Sequence, residues 1–390
     1  MKFARTPLFR YTVALLGFLF GAWKVVEDTC ITDFPIDMVV YREGVKAFLE
    51  HRSVYSAPMP AGDIQLPFIY PPFGALAMVP LTAFDAIDHT LAGNIMVILS
   101  DLLVLVCLYF VFRAVLKKPE FLLPVTAITW AIVLHFEPVD LNNNYAQINI
   151  VVMALVILDL VPRKQFLPQG ILVGVATLLA AAFRWEAFVE FFSSTLLDMG
   201  SGRDFGVGTD YQSNSSIKGA IQRIYPSTES MEANGLTIGL AWIAASLIVI
   251  IVAAWLIKRL CAEQLLVDAQ LVTALTVLLI SPVSWSHHWV WLTLIIPVFA
   301  YRAWSWLSTG WAARNLLAVL IAWAALLLTV PPKWWWGDQV DVHAMNHFQK
   351  FWVDDFVWLT VLTVALYAAA FCAAQRKQTT RSATPAPLAT

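Results

Sequence analysis

Charge is scarce in this 390-residue chain: 13% of its residues are Asp, Glu, Lys or Arg, against ~25% in an ordinary soluble domain. With 59% of residues hydrophobic, that scarcity excludes a soluble globular fold. It implies an all-α polytopic membrane protein, because long apolar segments cross a bilayer as helices. Net charge is scarce too: 25 basic residues face 27 acidic ones, which argues against nucleic acid as a partner. Cysteine is limited to Cys30, Cys107, Cys261 and Cys372. Two fall inside apolar runs and the other two on opposite sides of the expected membrane, so a disulfide framework and a cysteine metal site are both excluded. No glycine-rich phosphate loop, Walker pattern, zinc-protease helix or internal repeat is present.

What is present is a series of apolar runs. The first, Tyr11–Val26, follows Lys2, Arg5 and Arg10 and resembles a signal peptide. It ends in Glu27-Asp28 without a small-x-small cleavage site, so it reads as an uncleaved span. Nine more follow: Leu91–Phe112, Phe121–Phe136, Ala146–Val161, Phe166–Phe183, Leu236–Ile257, Leu265–Val283, Trp289–Tyr301, Leu316–Val330 and Phe356–Ala374. Phe73–Phe84 is ambiguous. If it crosses, Arg113/Lys117/Lys118 and Arg163/Lys164 lie outside, against the positive-inside rule. If it lies in the outer face, those residues and Lys258/Arg259, Arg302/Arg314 and Arg376/Lys377/Arg381 all lie inside. The second arrangement gives ten spans in the plasma membrane with both termini cytoplasmic. Residues 1–374 form one catalytic unit, followed by a disordered cytoplasmic tail, 375–390, rich in Thr, Ala and Pro. The polar loops roughly 27–90, 184–235 and 331–355 are then external. Mid-span polar groups are few, such as Asp101 and Ser246, which argues against a transporter built on midplane sites.

The external rim carries the candidate chemistry. Asp37 stands at the edge of an apolar run, where an ionised group is costly and usually functional. It also suits the N-cap of a helix Met38–Leu49, with Asp33 as an alternative base. His287 and His288 follow the run ending at Val283. Adjacent histidines on a helix point ~100° apart, which argues against a chelating pair. They suit donation of hydrogen bonds to a phosphate, or a place in the aromatic belt with Trp285, Trp289 and Trp291. Gln147 and Asn149 offer amides to sugar hydroxyls, or help to cap a helix after Asn142-Asn143-Asn144. Tyr41, Tyr70 and Trp285 can stack on a sugar or lipid, or simply pack. Pro71-Pro72 sets the entry of the in-plane segment. Lys333-Trp-Trp-Trp336, with His343 and His347, reads as a belt anchor or a lipid or acceptor contact. Arg184, Arg203, Lys218 and Arg223 read as solvated loop charges or as a draw for an anionic headgroup. Together these features point to an enzyme acting at a membrane surface on a lipid-linked substrate.

Five motifs in order carry a resemblance. They are Asp37-Met-Val-Val-Tyr41-Arg-Glu-Gly44 with Tyr55; Leu66-Pro-Phe-Ile-Tyr-Pro-Pro72; Asn144-Tyr-Ala-Gln147-Ile-Asn149; Asn214-Ser-Ser-Ile-Lys-Gly219; and Ser281-Pro-Val-Ser-Trp-Ser-His-His-Trp-Val-Trp291. In these the chain resembles the polyprenyl-phosphate-mannose-dependent mannosyltransferases of glycosyltransferase family 87, integral-membrane enzymes of actinobacterial envelope synthesis with a GT-C-type fold. The resemblance implies inverting α-mannosyl transfer, usually α-1,2, on the outer face. The donor is polyprenyl-phosphate-mannose, and the acceptor is a phosphatidylinositol mannoside or lipomannan. It puts Asp37 where the acceptor hydroxyl meets the donor. No Asp-x-Asp is present, and Asp338 and Asp341 are spaced differently, so no metal or other cofactor is expected. A lipid-linked-sugar flippase and an arabinosyltransferase of the same fold are the alternatives. The resemblance departs at one place: Gln169–Phe183 runs straight into Arg184-Trp185, where the family has about one further hairpin.

Overall fold

The computed structural model describes residues 6–31, 34–82, 87–160, 169–196 and 208–383. It is almost wholly helical. The described strands are a single antiparallel hairpin, β1 (Met59–Ala61) and β2 (Ile64–Leu66), pairing Met59 with Leu66. Among the described residues five helices are long and apolar enough to cross a membrane: Pro7–Cys30, His89–Val115, Gly235–Ala262, Trp311–Trp334 and Asp355–Lys377. The all-α polytopic architecture is therefore present. The other expected spans are shorter helices, and several boundaries move.

In chain order the first elements are α1 (Pro7–Ile31), α2 (Ile36–Leu49), α3 (Pro72–Ala77), α4 (His89–Val115), α5 (Leu122–Val133), α6 (Glu137–Asn144), α7 (Asn149–Leu160), α8 (Gln169–Phe183) and α9 (Trp185–Glu190). α1 packs closely on α5. A Cβ at Gly21 would lie 2.2 Å from the Trp130 ring, so only glycine permits that approach, as is common where helices meet in membranes. The ambiguous segment after Pro71 is too short to span: the six residues of α3 are followed by a 3₁₀ turn, Val79–Thr82. The expected span Phe121–Phe136 stops early. α5 ends at Val133, and the chain bends by 66° into α6.

α6 is held by a buried polar cluster. Lys24 Nζ lies 2.7 Å from Asp28 and 3.0 Å from Asp140. Asn143 Nδ2 donates to Asp28 (3.1 Å) and Asp101 (2.9 Å). The mid-span Asp101 thus ties α4 to α6. Ala146 then adopts φ 53°, the left-handed conformation that ends many helices, and redirects the chain into α7. The expected span Ala146–Val161 accordingly begins at Asn149.

Two further expectations are corrected. The final helix runs to Ala383, so residues 375–383 continue it rather than forming a disordered tail; residues 384–390 lie outside the described set. Arg302 pairs with the buried Asp268, its Nε and Nη2 on the carboxylate at 2.8 and 2.7 Å. The loop cations are also used internally. Arg184 follows α8 directly and donates to the carbonyls of Ala47 (2.8 Å), Phe48 (2.9 Å) and Arg52 (2.5 Å), adding side-chain donors at the C-terminus of α2. Arg223 is fully buried on Asp354 and the carbonyls of Asp210, Tyr211 and Asn214. Lys218 is buried against the Trp242 ring. Burial removes all three from contact with a headgroup. Arg203, like Asp33 and Arg163/Lys164, lies outside the described residues.

Candidate active site

α2 begins at Ile36, with Pro35 in the cap position and no side-chain capping bond. Asp37 is therefore a first-turn residue and not the N-cap. Its carboxylate instead accepts a 2.6 Å hydrogen bond from Gln147 Nε2. Gln147 is oriented in turn: its Oε1 accepts from the Tyr41 hydroxyl at 2.5 Å and, more distantly, from Asn149 Nδ2 at 3.5 Å. The Tyr70 hydroxyl lies 2.9 Å from that of Tyr41. Because Tyr41 donates to Gln147, Tyr70 must donate to Tyr41. Gly44 makes this possible: a Cβ there would sit 2.1 Å from the Phe68 ring. Phe68 can thus lie on α2 and bring Tyr70 alongside Tyr41.

The half-buried Asp37 opens onto a cavity of about 320 Å³. Burial pushes its carboxyl up to about 7, and the Gln147 bond only partly opposes this. Across the cavity the 3₁₀ turn Ser286–Trp291 presents His287 and His288. Side chains on such a turn diverge by ~120°, yet the two rings meet edge to face at 4.8 Å. His287 also meets Tyr145 edge-on at 5.6 Å. Burial lowers both imidazoles, His288 to about 4 and His287 well below its ordinary value. Both are neutral near pH 7, and each has one N–H to donate.

Behind this turn four segments are bolted together. Ser286 Oγ lies 2.7 and 2.8 Å from the Glu137 carboxylate oxygens. Trp334 Nε1 donates to Glu137 at 2.7 Å. Lys333, fully buried, reaches Ser215 Oγ (2.6 Å), Ser286 Oγ (3.4 Å) and Asp355 (3.2 Å). The Asn214 motif closes the frame: its Oδ1 accepts from Ser284 N at 2.9 Å, and Ser215 N donates to Ser284 O at 2.8 Å. Among the described residues no cluster of three or more His, Cys, Asp or Glu is arranged to hold a metal ion.

Seven of the eight residues singled out from sequence line this one cavity: Asp37, Tyr41, Tyr70, Gln147, Trp285, His287 and His288. Asn149 does not; it stands behind Gln147 and reaches Asn142 Oδ1 at 3.4 Å. The polar atoms of Tyr41 and Gln147 are engaged by protein partners. Sequence reasoning missed Tyr145, Tyr211 and Ser213, and it left Trp334 undivided from its neighbours. Tyr145 lies inside a quoted motif, and Ser213 immediately precedes another. The Trp triplet divides in the structure: Trp334 faces the cavity while Trp335 is exposed.

Fold and site together define a polytopic all-α membrane protein with a carboxylate and two imidazoles gathered in one cavity at the ends of its helices. The chain belongs to glycosyltransferase family 87, whose family model matches residues 68–180 and 175–282. The two matches overlap at residues 175–180, inside Gln169–Phe183. The chain is 26% identical to a polyprenol-phosphate-mannose-dependent α-(1-2)-phosphatidylinositol mannoside mannosyltransferase of Mycobacterium tuberculosis, covering 96% of this chain and 93% of that protein. It is 28% identical to the protein of the same name from Mycolicibacterium smegmatis, covering 81% and 80%. A phosphatidylinositol pentamannoside mannosyltransferase of M. tuberculosis is 29% identical over 76% of this chain and 71% of its own length. No solved structure matches.

Proposed function

We propose that this glycosyltransferase moves mannose from a polyprenyl-phosphate-mannose to a phosphatidylinositol mannoside or a related lipid-anchored mannoside, forming an α-1,2 linkage. The observation that carries the chemistry is the Asp37 carboxylate, held by Gln147 at the wall of a cavity shared with two neutral imidazoles. The acceptor hydroxyl oxygen forms a bond to the anomeric carbon as the bond from that carbon to the phosphate oxygen breaks. Asp37 takes the hydroxyl proton, and polyprenyl phosphate leaves with the electron pair. A phosphate leaving group needs no general acid, so one base suffices. Attack opposite the phosphate inverts a β-linked donor to an α-linked product, by the geometry that governs inverting glycosidases. His287 or His288 donates to the phosphate oxygen as charge grows there. Gln147 positions the base. The charge pattern supports an external cavity with both termini cytoplasmic, and residues 1–374 are proposed to act as one catalytic unit.

The test is transfer of radiolabelled mannose from polyprenyl-phosphate-mannose to a phosphatidylinositol mannoside in membranes containing the protein, with α-1,2-mannosidase release of the label. Movement of the donor between leaflets without transfer would replace the enzyme reading with the flippase. The support for Asp37 has its own check. Gln147→Leu removes a bond that favours the carboxylate form, so its pH–rate profile is expected to shift to higher pH with a lower maximal rate. An unshifted profile would take Gln147 out of the positioning role.

A further inference from the structure

The cavity has two walls of different chemistry. One is mostly hydrocarbon: Ile36, Val40, Ile64, Leu66 and Ile69 come from α2, the β-hairpin and the strand of chain after it, and the Tyr41 and Tyr70 hydroxyls of the same segments are bonded to each other, that of Tyr41 also to Gln147. The other is aromatic, with Tyr211, Trp285 and Trp334 contributed by three separate loops. The Tyr211 ring lies 6.3 Å from Trp285 at 57° and 6.2 Å from Trp334 at 59°. Its hydroxyl donates to Asp338 at 2.5 Å, and the neighbouring Gln212 Nε2 donates to Gly337 O at 2.6 Å. Arg223–Asp354 (2.5 Å) and His343–Asp210 (2.8 Å) clamp the same loops further out. The aromatic wall is thus a fixed surface edged by an exposed carboxylate. Asp37, flanked by Ile36, is held by Gln147, and two residues before Gln147 the Tyr145 ring packs on His287, which follows Trp285 by two.

An isoprenoid has no hydrogen-bonding group and gains only from apolar burial. A pyranose presents a face of C–H groups rimmed by hydroxyls, which suits tyrosine and tryptophan rings with a polar handle beside them. We propose that Tyr211, Trp285 and Trp334, with Asp338 at their edge, form the subsite for the acceptor's glycan, and that the wall from Ile36 to Ile69 takes the isoprenoid of the donor. This rests on the transferase reading above and assigns its two substrates to the two walls of the cavity.

The full-length protein in detergent is titrated, by its tryptophan fluorescence, with two probes: α-1,2-mannobiose and farnesyl phosphate. Tyr211→Ala is expected to weaken mannobiose about tenfold, the scale of one aromatic contact, and to leave farnesyl phosphate unchanged. Ile64→Asp, at a half-exposed position, should do the reverse. Tyr211→Phe keeps the ring and should restore mannobiose binding, which separates a lost platform from a misfolded variant. Farnesyl phosphate weakened by Tyr211→Ala with mannobiose spared would overturn the assignment. So would mannobiose that fails to bind the wild type, or that binds every variant alike. Mannobiose binding that follows the expected pattern in a protein that transfers no mannose supports the subsite and sinks the functional reading alone.

Discussion

Asp37→Asn is expected to lower mannose transfer by about 10²–10⁴-fold, the usual contribution of a positioned general base. The wild-type rate at low substrate should rise with pH through about 7, where burial sets the Asp37 carboxyl, because only the ionised form accepts the proton. Neither histidine supplies that limb, since His288 titrates near 4 and His287 is also lowered. Stability should run the other way. A carboxyl raised from its unfolded value to about 7 stabilises the fold while protonated, and that contribution is lost as pH rises through 7. Asp37→Asn should therefore unfold at a higher temperature than the wild type above neutral pH while transferring almost nothing. Initial rates from about pH 5 to about pH 9, paired with thermal unfolding in detergent at both ends, read the two effects separately. Near-normal transfer by the variant, or a rate flat across neutrality, would remove Asp37 from the chemistry.

Loss of a phosphate donor should be the second large effect. His288→Ala is expected to reduce kcat at saturating donor by about 10²–10³-fold, the cost of deleting one preorganised donor to developing charge. His288 is the more open of the pair, so His287→Ala should cost less. Because both imidazoles are neutral, the proposed role is N–H donation. His288→Asn retains a donor and should recover part of the loss, and neither variant should move the Asp37 limb. If both alanine variants stay within about twofold of the wild type, well short of the loss of a donor, the pair belongs to the interfacial packing of the Trp285–Trp291 turn.

The sequence made the class legible because hydrophobic runs and charge asymmetry are averages over many residues. The all-α membrane architecture and the glycosyltransferase family follow from such averages and from ordered motifs. Individual boundaries were less legible. The 66° bend between α5 and α6 depends on Lys24, Asp28 and Asp101 meeting Asp140 and Asn143, a convergence of three distant segments that no local window contains. In sequence Asp37 suits both a base and a helix cap, and only tertiary structure puts it in the first turn with Gln147 on its carboxylate. Arg184 and Arg223 looked like solvent charges, since no local pattern predicts that carbonyls over a hundred residues away, or Asp354, will receive them. Tyr211 and Trp334 sit in irregular loops, where periodicity says nothing about which face a ring presents. The fixed points came from motifs, and the wall between them came from long-range loop docking.

Among the described residues lining the cavity, none is lysine or arginine; the ammonium of Lys333 stays behind the wall, paired with Asp355. A neutral N–H donor gives an anionic phosphate a directed hydrogen bond but no ion pair, so the Coulombic attraction of a cation is missing. The carrier phosphate gains a negative charge when it loses its sugar, and a cationic pocket would tighten its grip at that moment. On the proposed reading, a pocket of uncharged imidazoles holds the phosphate by directed hydrogen bonds and forms no ion pair with it. The emptied carrier can then slip back into the bilayer without breaking an ion pair, and the site is cleared for the next turnover.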